Sequence, residues 1–580
     1  CDTAGIIENI DLTIRTCTSI INLTGALGRP GFVLLPFSPD FRWDADWYKS
    51  ITQFRQEENG NWTKVLNKVR TELIEKYQQR GNKIQNDQIA IWLWEAQMNM
   101  QFNDVSTAID RYLDILRVDP LHDKASIDLF MIYFERKQWD RALMTLEKRL
   151  EEAPNSAVCC NAAICYDMLG EKQKALKLYK QGLRYNPNEY FIYNNLSAIH
   201  RHFDEYESAL QSSEQAINLN TKFAPAYSNK AVILYDLNEL DQAEETLLQA
   251  LSLDPNLPDA NFSLSQVYLK QGRYYEGFKQ YEMRLNFDTY KLGSTMDVNK
   301  KWNNENLDGK TILVIDEQCA GDTILYATYL PLLKDQGATI ILATTVDVFE
   351  IMKNLGADTF YEIRKEKGKP KTFVKTNVDH HYDYYCYMAS LPLYFKTTTK
   401  KIPHVEGYIT VDDNRIQKWA EILGPKEKIR IGVVWSGGEE FLTDWRRSMT
   451  VTEFVKGLPA DFEYVCLQKV IRKADEVTVH DYPWIKFVGN QIEDFVDTAG
   501  IIANVDLVIS TCTSVLNLAG AMGKESWALL PFSPDWRWDA NWYSSVKQYR
   551  QKTPYNTQDW SEVLAQVKAD LQAKYLHESS

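Results

Sequence analysis

Six small residues fall at nearly constant intervals through the middle of the chain: Ala108, Ala142, Ala175, Ala209, Ala243 and Gly277, spaced 34, 33, 34, 34 and 34. Prolines close most of these intervals at Pro120, Pro154, Pro187 and Pro255, with Asn220 in the remaining equivalent place. A period of this length accommodates two antiparallel helices but no independent core, so each unit has to bury its apolar face against its neighbours. That part of the chain is therefore predicted to be a helical solenoid. The small residue lets two helices approach closely, while Tyr, Leu and Phe three and four positions away fill the space between units.

A second repetition is much larger. Residues 2–56 (DTAGIIENIDLTIRTCTSIINLTGALGRP…) recur as residues 497–551 (DTAGIIANVDLVISTCTSVLNLAGAMGKE…) at a constant offset of 495. A matching amphipathic segment follows each copy, Trp62 to Tyr77 and Trp560 to Tyr575. Residues 1–80 are thus predicted to be a partial copy of the C-terminal end, the tail of a truncated upstream module. The chain also begins at Cys1 without an initiator Met or a leader, as though cut from something longer. The strands DLTIR and GFVLLP would leave unpaired edges and a bare apolar face unless another segment covers them.

From about residue 310 the pattern changes to short β-branched runs separated by helical stretches. KTILVID, ATIILAT, IRIGVVWS, FEYVCLQ, WIKFVG, DLVIS and SWALLP have the length and composition of buried parallel strands. A helical stretch between Tyr408 and Lys428 is placed to connect two such sheets, and a cleft between two α/β domains follows.

Composition narrows the function classes. At roughly 100–200 residues per domain, 580 residues predict about three to five compact units. No apolar run approaches the roughly 18 residues that span a bilayer, and a formal charge of -14 gives no general attraction to nucleic acid. Nine scattered cysteines with no metal-ligand spacing argue against a disulfide framework or a zinc site and for a reducing, cytoplasmic setting.

In parallel α/β sheets, ligands bind beyond the carboxyl ends of strands, where backbone N–H groups at helix starts favour anions. Three turns have this layout. Glu317 to Thr323 follows TILVID and carries Gly321-Asp322 at a helix start, where Asp322 either projects into the cleft or merely caps its helix. Ser436-Gly437-Gly438 follows IGVVW and precedes the basic pair Arg446-Arg447, whose guanidinium groups suit phosphate oxygens unless they are only solvated surface. Thr511-Cys512-Thr513-Ser514 follows DLVIS, and its hydroxyls either cap the next helix or donate to a diphosphate. A nucleophilic Cys512 is disfavoured because no His lies nearby in sequence to activate it.

Two sets of segments carry family resemblances. EKQKALKLYKQGLRYNP and LDQAEETLLQALSLDP resemble tetratricopeptide repeats, about six units over residues 83–288. EQCAGDTILYATYLPLL, HYDYYCYMASLPLYF, IGVVWSGG with RRS, CLQK, and DTAGIIANVDLVISTCTSVLNLAGAMGK followed by WALLPFSPDWRW together resemble bacterial tetratricopeptide-repeat glycosyltransferases. Their catalytic half is similar to the ADP-heptose:lipopolysaccharide heptosyltransferases and, more distantly, to the repeat-containing O-GlcNAc transferases.

The resemblance implies an α and α/β chain: a solenoid followed by a GT-B pair of Rossmann-like domains, residues 300–407 and a donor-binding 425–580, with the partial Rossmann-like segment at 1–80. It implies a metal-independent hexosyl- or heptosyltransferase that needs no cofactor. The donor would be a nucleotide-diphosphate sugar and the acceptor a protein or glycan hydroxyl reached through the repeats. Asp322 takes the place of the general base. Ser436, Gly437, Arg446, Arg447, Gln468, Lys469 and the Thr511, Cys512, Thr513, Ser514 helix start take that of the donor-diphosphate site. Cys512 stands where the family pattern has Asp, and Asn517, also assigned to this site, where it has His; the N-terminal copy shares both departures as Cys17 and Asn22.

Two other functions fit the residues. One is a repeat scaffold that binds peptides in its groove beside a degenerate α/β half. The other is a sugar-nucleotide hydrolase or epimerase drawing on His380, His381 or His404.

Overall fold

The computed structural model describes residues 13–16, 23–24, 26–27, 30–36, 48–58, 62–77, 84–286, 297–364, 372–373, 381–403, 407–438, 444–540, 542–554 and 558–576. Cys1, Cys17, Asn22, His380 and His404 lie outside the described residues. The chain divides into two compact units, Cys1–Asn188 and Glu189–Ser580.

The first unit opens on a parallel sheet of β1 (Thr13–Thr16), β2 (Gly31–Leu35) and β3 (Ile51–Arg55) in the order β1-β2-β3. Thr13 pairs with Gly31 and Gly31 with Ile51. In the second unit, β12 (Leu507–Thr511), β13 (Ser526–Leu530) and β14 (Val546–Arg550) pair Val508 with Ser526 and Ser526 with Val546. Each partner is displaced by the same 495 positions, so the duplication preserves strand register as well as sequence.

The apolar face expected to be bare is covered. Phe32, Leu34 and Phe54 pack on Val65 and Val69 of the Thr63–Tyr77 helix and on Ile91 of the first repeat helix, Ile84–Gln101. Burying each such side chain contributes about 1.5–3 kcal/mol. The outer edge of β1 has no further strand among the described residues.

Both units carry solenoid helices, and among the described residues three helical pairs fall in each, the last being Pro258–Lys270 with Tyr274–Tyr281. The five periodic alanines are fully buried, and at Gly277 even a Cβ would stand 2.7 Å from Leu269 Cγ. The second helix of one pair is split into Trp139–Met144 and Glu147–Glu152, where the Thr145 hydroxyl donates to the Ala142 carbonyl at 2.7 Å and competes with the backbone ladder.

A further periodicity appears at the end of each pair's first helix. Asn103, Lys137, Gly170, Asp204, Asn238 and Gly272 all have positive φ, between 57° and 82°, and repeat at the intervals of the small residues. The next residue's N–H returns to a carbonyl five positions earlier, as in Asp104 to Asn99 at 2.8 Å and Arg273 to Tyr268 at 2.9 Å. This is the left-handed C-terminal cap that satisfies orphan helix carbonyls. Lys137 occupies it against the steric preference of a side chain with a Cβ, a cost of about 1–2 kcal/mol that the extra unfolded-state freedom of glycine partly cancels. Lys137→Gly is therefore expected to stabilise the repeats by about 0.5 kcal/mol, read as a raised midpoint of their thermal transition.

In the second unit the solenoid is followed by two sheets. The first has the order β7-β6-β5-β4-β8, with β4 Thr311–Ile315, β5 Thr339–Thr345, β6 Thr359–Arg364, β7 Thr372–Phe373 and β8 Tyr384–Tyr387, parallel except for β7. The second has the order β11-β10-β9-β12-β13-β14, all parallel, with β9 Arg430–Val434, β10 Glu463–Cys466 and β11 Ile485–Phe487. All seven runs read as strands in the sequence are present. One core runs from Leu269 and Phe278 of the repeats through Leu330 and Ile340 to Leu516 and Trp536.

The predicted connecting helix is Asp413–Leu423, packed on Phe495–Ala503 so closely that a Cβ on Gly500 would meet Trp419 Cδ1 at 2.6 Å. Asp497 pins this contact. Its carboxylate, fully removed from solvent, accepts from Arg415 Nη1 at 2.6 Å, Trp419 Nε1 at 2.8 Å, the Glu493 N–H at 2.9 Å and Lys418 Nζ at 3.0 Å. Burial alone would raise its pKa, but these donors outweigh burial and pull it down to about 2.

A carboxylate depressed in the folded state stabilises fully above its unfolded pKa near 4, and that contribution is lost as pH falls through about 2. Wild type should therefore lose about 2 kcal/mol across this window that Asp497→Asn does not lose, seen by comparing their denaturation midpoints between pH 5 and pH 2.

Candidate active site

The three turns come together. Asp322 lies in the first turn of the Ala320–Tyr326 helix after β4, and Thr513 precedes the Ser514–Ala521 helix after β12. A Cβ on Gly321 would stand 3.1 Å from Asn517 Nδ2 and 3.4 Å from Ser514 Cα, so the two helix starts abut and glycine is what permits the approach. The turn after β9 joins them through Arg447, whose Nη1 donates to the Cys512 carbonyl at 2.6 Å and whose Nε donates to Asp444 Oδ1 at 2.9 Å.

Gln468 holds that turn in shape. Its Oε1 accepts the N–H groups of Trp435 at 2.9 Å and Ser436 at 3.3 Å, and its Nε2 donates to Ser436 Oγ at 3.0 Å. The Gly437 N–H donates to Ser448 Oγ at 2.9 Å, and a Cβ on Gly437 would collide with Asp444 and Arg447. Arg472, unremarked in the sequence, donates to the Gly437 carbonyl at 3.1 Å and pairs with Asp444. It lies three residues past Lys469 in CLQKVIRK, the one clue to it.

At the third turn, Ser510 Oγ and Thr513 Oγ1 are 3.1 Å apart, and Thr511 Oγ1 is buried with no hydrogen-bond partner. An unsatisfied buried hydroxyl costs about 1–3 kcal/mol, so it stands out at the carboxyl end of β12. Asn517 Nδ2 donates to the Thr513 carbonyl at 3.1 Å, and its Oδ1 accepts from Tyr543 OH at 3.3 Å. Cys512 Sγ accepts from Trp538 Nε1 at 2.9 Å, and burial pushes the thiol up despite Arg447, which keeps it protonated and poorly nucleophilic.

Two residues assigned to the diphosphate have other partners. Arg446 turns toward the repeats, where it pairs with Asp236 and donates to Tyr206 OH at 3.1 Å. Lys469 Nζ donates to the Glu493 carbonyl at 2.6 Å from an exposed side chain. His381 is exposed ahead of β8.

Arg537 was not singled out by sequence reasoning. Its Nη1 donates to Asp322 Oδ1 at 2.8 Å, while Nε and Nη2 donate to Asp535 Oδ1 at 2.6 Å and Oδ2 at 3.1 Å. Removal from solvent works against the guanidinium charge, but Asp535 and Asp322 outweigh it and hold its pKa well above the usual value. The signal available was the duplication, which keeps this pair as Asp40 and Arg42.

Among the described residues, no helix is long and apolar enough to cross a membrane. A family profile described as TPR repeat matches residues 231–272. Protein FlbA of Caulobacter vibrioides (strain ATCC 19089 / CIP 103742 / CB 15) is 23% identical over 327 residues, covering 49% of this chain and 51% of that protein. The chain thus spans about half the length of the curated relative it matches. The chain is also similar to TTC0263, a thermophilic TPR protein of Thermus thermophilus, at 26% identity over 28% of this chain and 90% of that one, with a TM-score of 0.27. A tetratricopeptide repeat protein from Parabacteroides merdae ATCC 43184 is 18% identical over 34% and 79% of the two chains, with a TM-score of 0.31. Residues 231–272 thus match a TPR repeat within a helical solenoid, and parallel sheets follow it in the C-terminal part of the chain.

Proposed function

We propose that the chain is a GT-B glycosyltransferase that moves a sugar from a nucleotide-diphosphate donor to a protein or glycan hydroxyl. The supporting observation is that turns after β4, β9 and β12 meet at the carboxyl ends of two sheets, where α/β proteins hold anionic ligands. In this reading Asp322 takes the proton of the acceptor hydroxyl as its oxygen bonds to the anomeric carbon. The bond from that carbon to the diphosphate breaks, and the electron pair leaves with the nucleoside diphosphate.

Negative charge then grows beside Arg447 and the Thr513–Ser514 helix start, where fixed donors stabilise it without reorganising. Ser436 and Gln468 shape the adjoining turn. The repeats present the acceptor, and a cytoplasmic setting is in keeping with nine scattered cysteines that lack metal-ligand spacing.

A scaffold that binds partner peptides is the second reading. It is favoured by the repeats and by the internal partners that already occupy Arg446, Gly437 and Ser436. Calorimetry against UDP-, GDP-, ADP- and CMP-sugars separates the two, because the transferase binds at least one of them and the scaffold binds none.

A further inference from the structure

The geometry points to Arg537 as a positioning residue that fixes the Asp322 carboxylate in the cleft, an inference that rests on the glycosyltransferase reading. Asp535 grips the guanidinium through Nε and Nη2, which removes its rotational freedom and leaves Nη1 aimed at Asp322. Such a fork is specific to arginine, since a lysine offers one compact charge on a flexible stem.

The loop carrying Arg537 is itself anchored by the last repeat pair. Trp536 packs T-shaped against Tyr274 and Phe278, each at 5.5 Å between centroids. Lys270, the last residue of its helix, donates to Ser533 Oγ at 2.5 Å and to the Pro534 carbonyl at 3.2 Å. Ser533 Oγ in turn donates to the Tyr235 carbonyl at 3.1 Å. Solenoid, loop, guanidinium and carboxylate thus form one continuous line of contacts.

The duplication keeps the Asp535–Arg537 pair as Asp40 and Arg42. Misplacing a reacting group by about 1 Å lowers a rate by about 100-fold. The effect of Arg537 should therefore appear in turnover.

The test uses the full chain as wild type, Arg537→Lys, Arg537→Gln, Asp322→Asn and the double variant Arg537→Gln/Asp322→Asn. Release of nucleoside diphosphate from UDP-, GDP- and ADP-sugars is followed with water as acceptor. Water's oxygen then bonds to the anomeric carbon, its proton passes to Asp322, and the diphosphate leaves with the electron pair. Thermal midpoints check that every variant is folded, and Arg537→Lys serves if the Gln variant is not.

The expected result is a kcat about 10- to 100-fold lower in Arg537→Gln with donor KM within about twofold. Arg537→Lys should recover part of the rate, and the double variant should be no slower than Asp322→Asn alone. Losses that multiply in the double variant, an unchanged kcat, or a change confined to KM would overturn the positioning role alone. A wild-type chain that releases no nucleoside diphosphate from any of these donors would remove the transferase reading and the positioning role with it.

Discussion

Asp322→Asn is expected to lower transfer by about 10²- to 10⁴-fold while donor affinity stays within about twofold. Asparagine has the size and shape of aspartate, and its Oδ1 can still accept the hydrogen bond that Arg537 now donates at 2.8 Å. It cannot take the acceptor's proton, so the loss falls on the chemical step. The donor side is held by other residues, Arg447 and the Ser514 helix start, and keeps its affinity. Steady-state kcat and KM together with calorimetry on the same variant separate the two effects. Wild-type turnover in Asp322→Asn would show that some other group accepts the proton.

The largest effect on stability is expected at Asp236. This buried carboxylate ends the Ala224–Asp236 helix, pairs with Arg201 and Arg446, and has a depressed pKa because those guanidinium groups overcome the effect of burial. Asp236→Ala leaves Arg446, whose side chain is only 12% exposed, with a buried and uncompensated charge, a loss of about 3–5 kcal/mol. Replacing both residues should cost less than the sum of the single changes.

The same pair decides how Arg446 is to be understood. Adjacent arginines after a Gly-Gly turn suggest one phosphate clamp, but their side chains diverge: Arg447 reaches Cys512 and Arg446 reaches the repeats. Arg446→Ala should therefore lower the urea midpoint and leave nucleotide affinity within about twofold. Loss of affinity with an unchanged midpoint would return Arg446 to the diphosphate.

The fold was legible wherever burial imposes a period on the sequence. Alanines every 33 or 34 residues mark helix contacts because little larger fits there, and runs such as TILVI and LVIST mark strands buried on both faces. β14, with Lys547 and Gln548 between its buried residues, lacks such a run, and β8 is only four residues long. The left-handed caps were hidden because Asn, Lys and Asp share with Gly a role that composition alone does not announce.

For the site, sequence supplied the turns but not their partners. Asp322 and Arg537 are 215 positions apart, and Arg446 and Tyr206 are 240 apart, separations at which no local pattern operates. Residues within one turn, such as Thr513 and Asn517, could be assigned together because a helix start brings them together whatever the rest of the chain does.

The most direct test of the transferase reading is a crystal structure of the full chain soaked with the nucleoside diphosphate that calorimetry selects. The expected result is diphosphate oxygens within hydrogen-bond distance of Arg447 and of the Thr513 and Ser514 donors, with the Asp322 carboxylate facing the β-phosphate end. A nucleotide bound elsewhere, or a cleft that stays empty at saturating nucleotide, would contradict it.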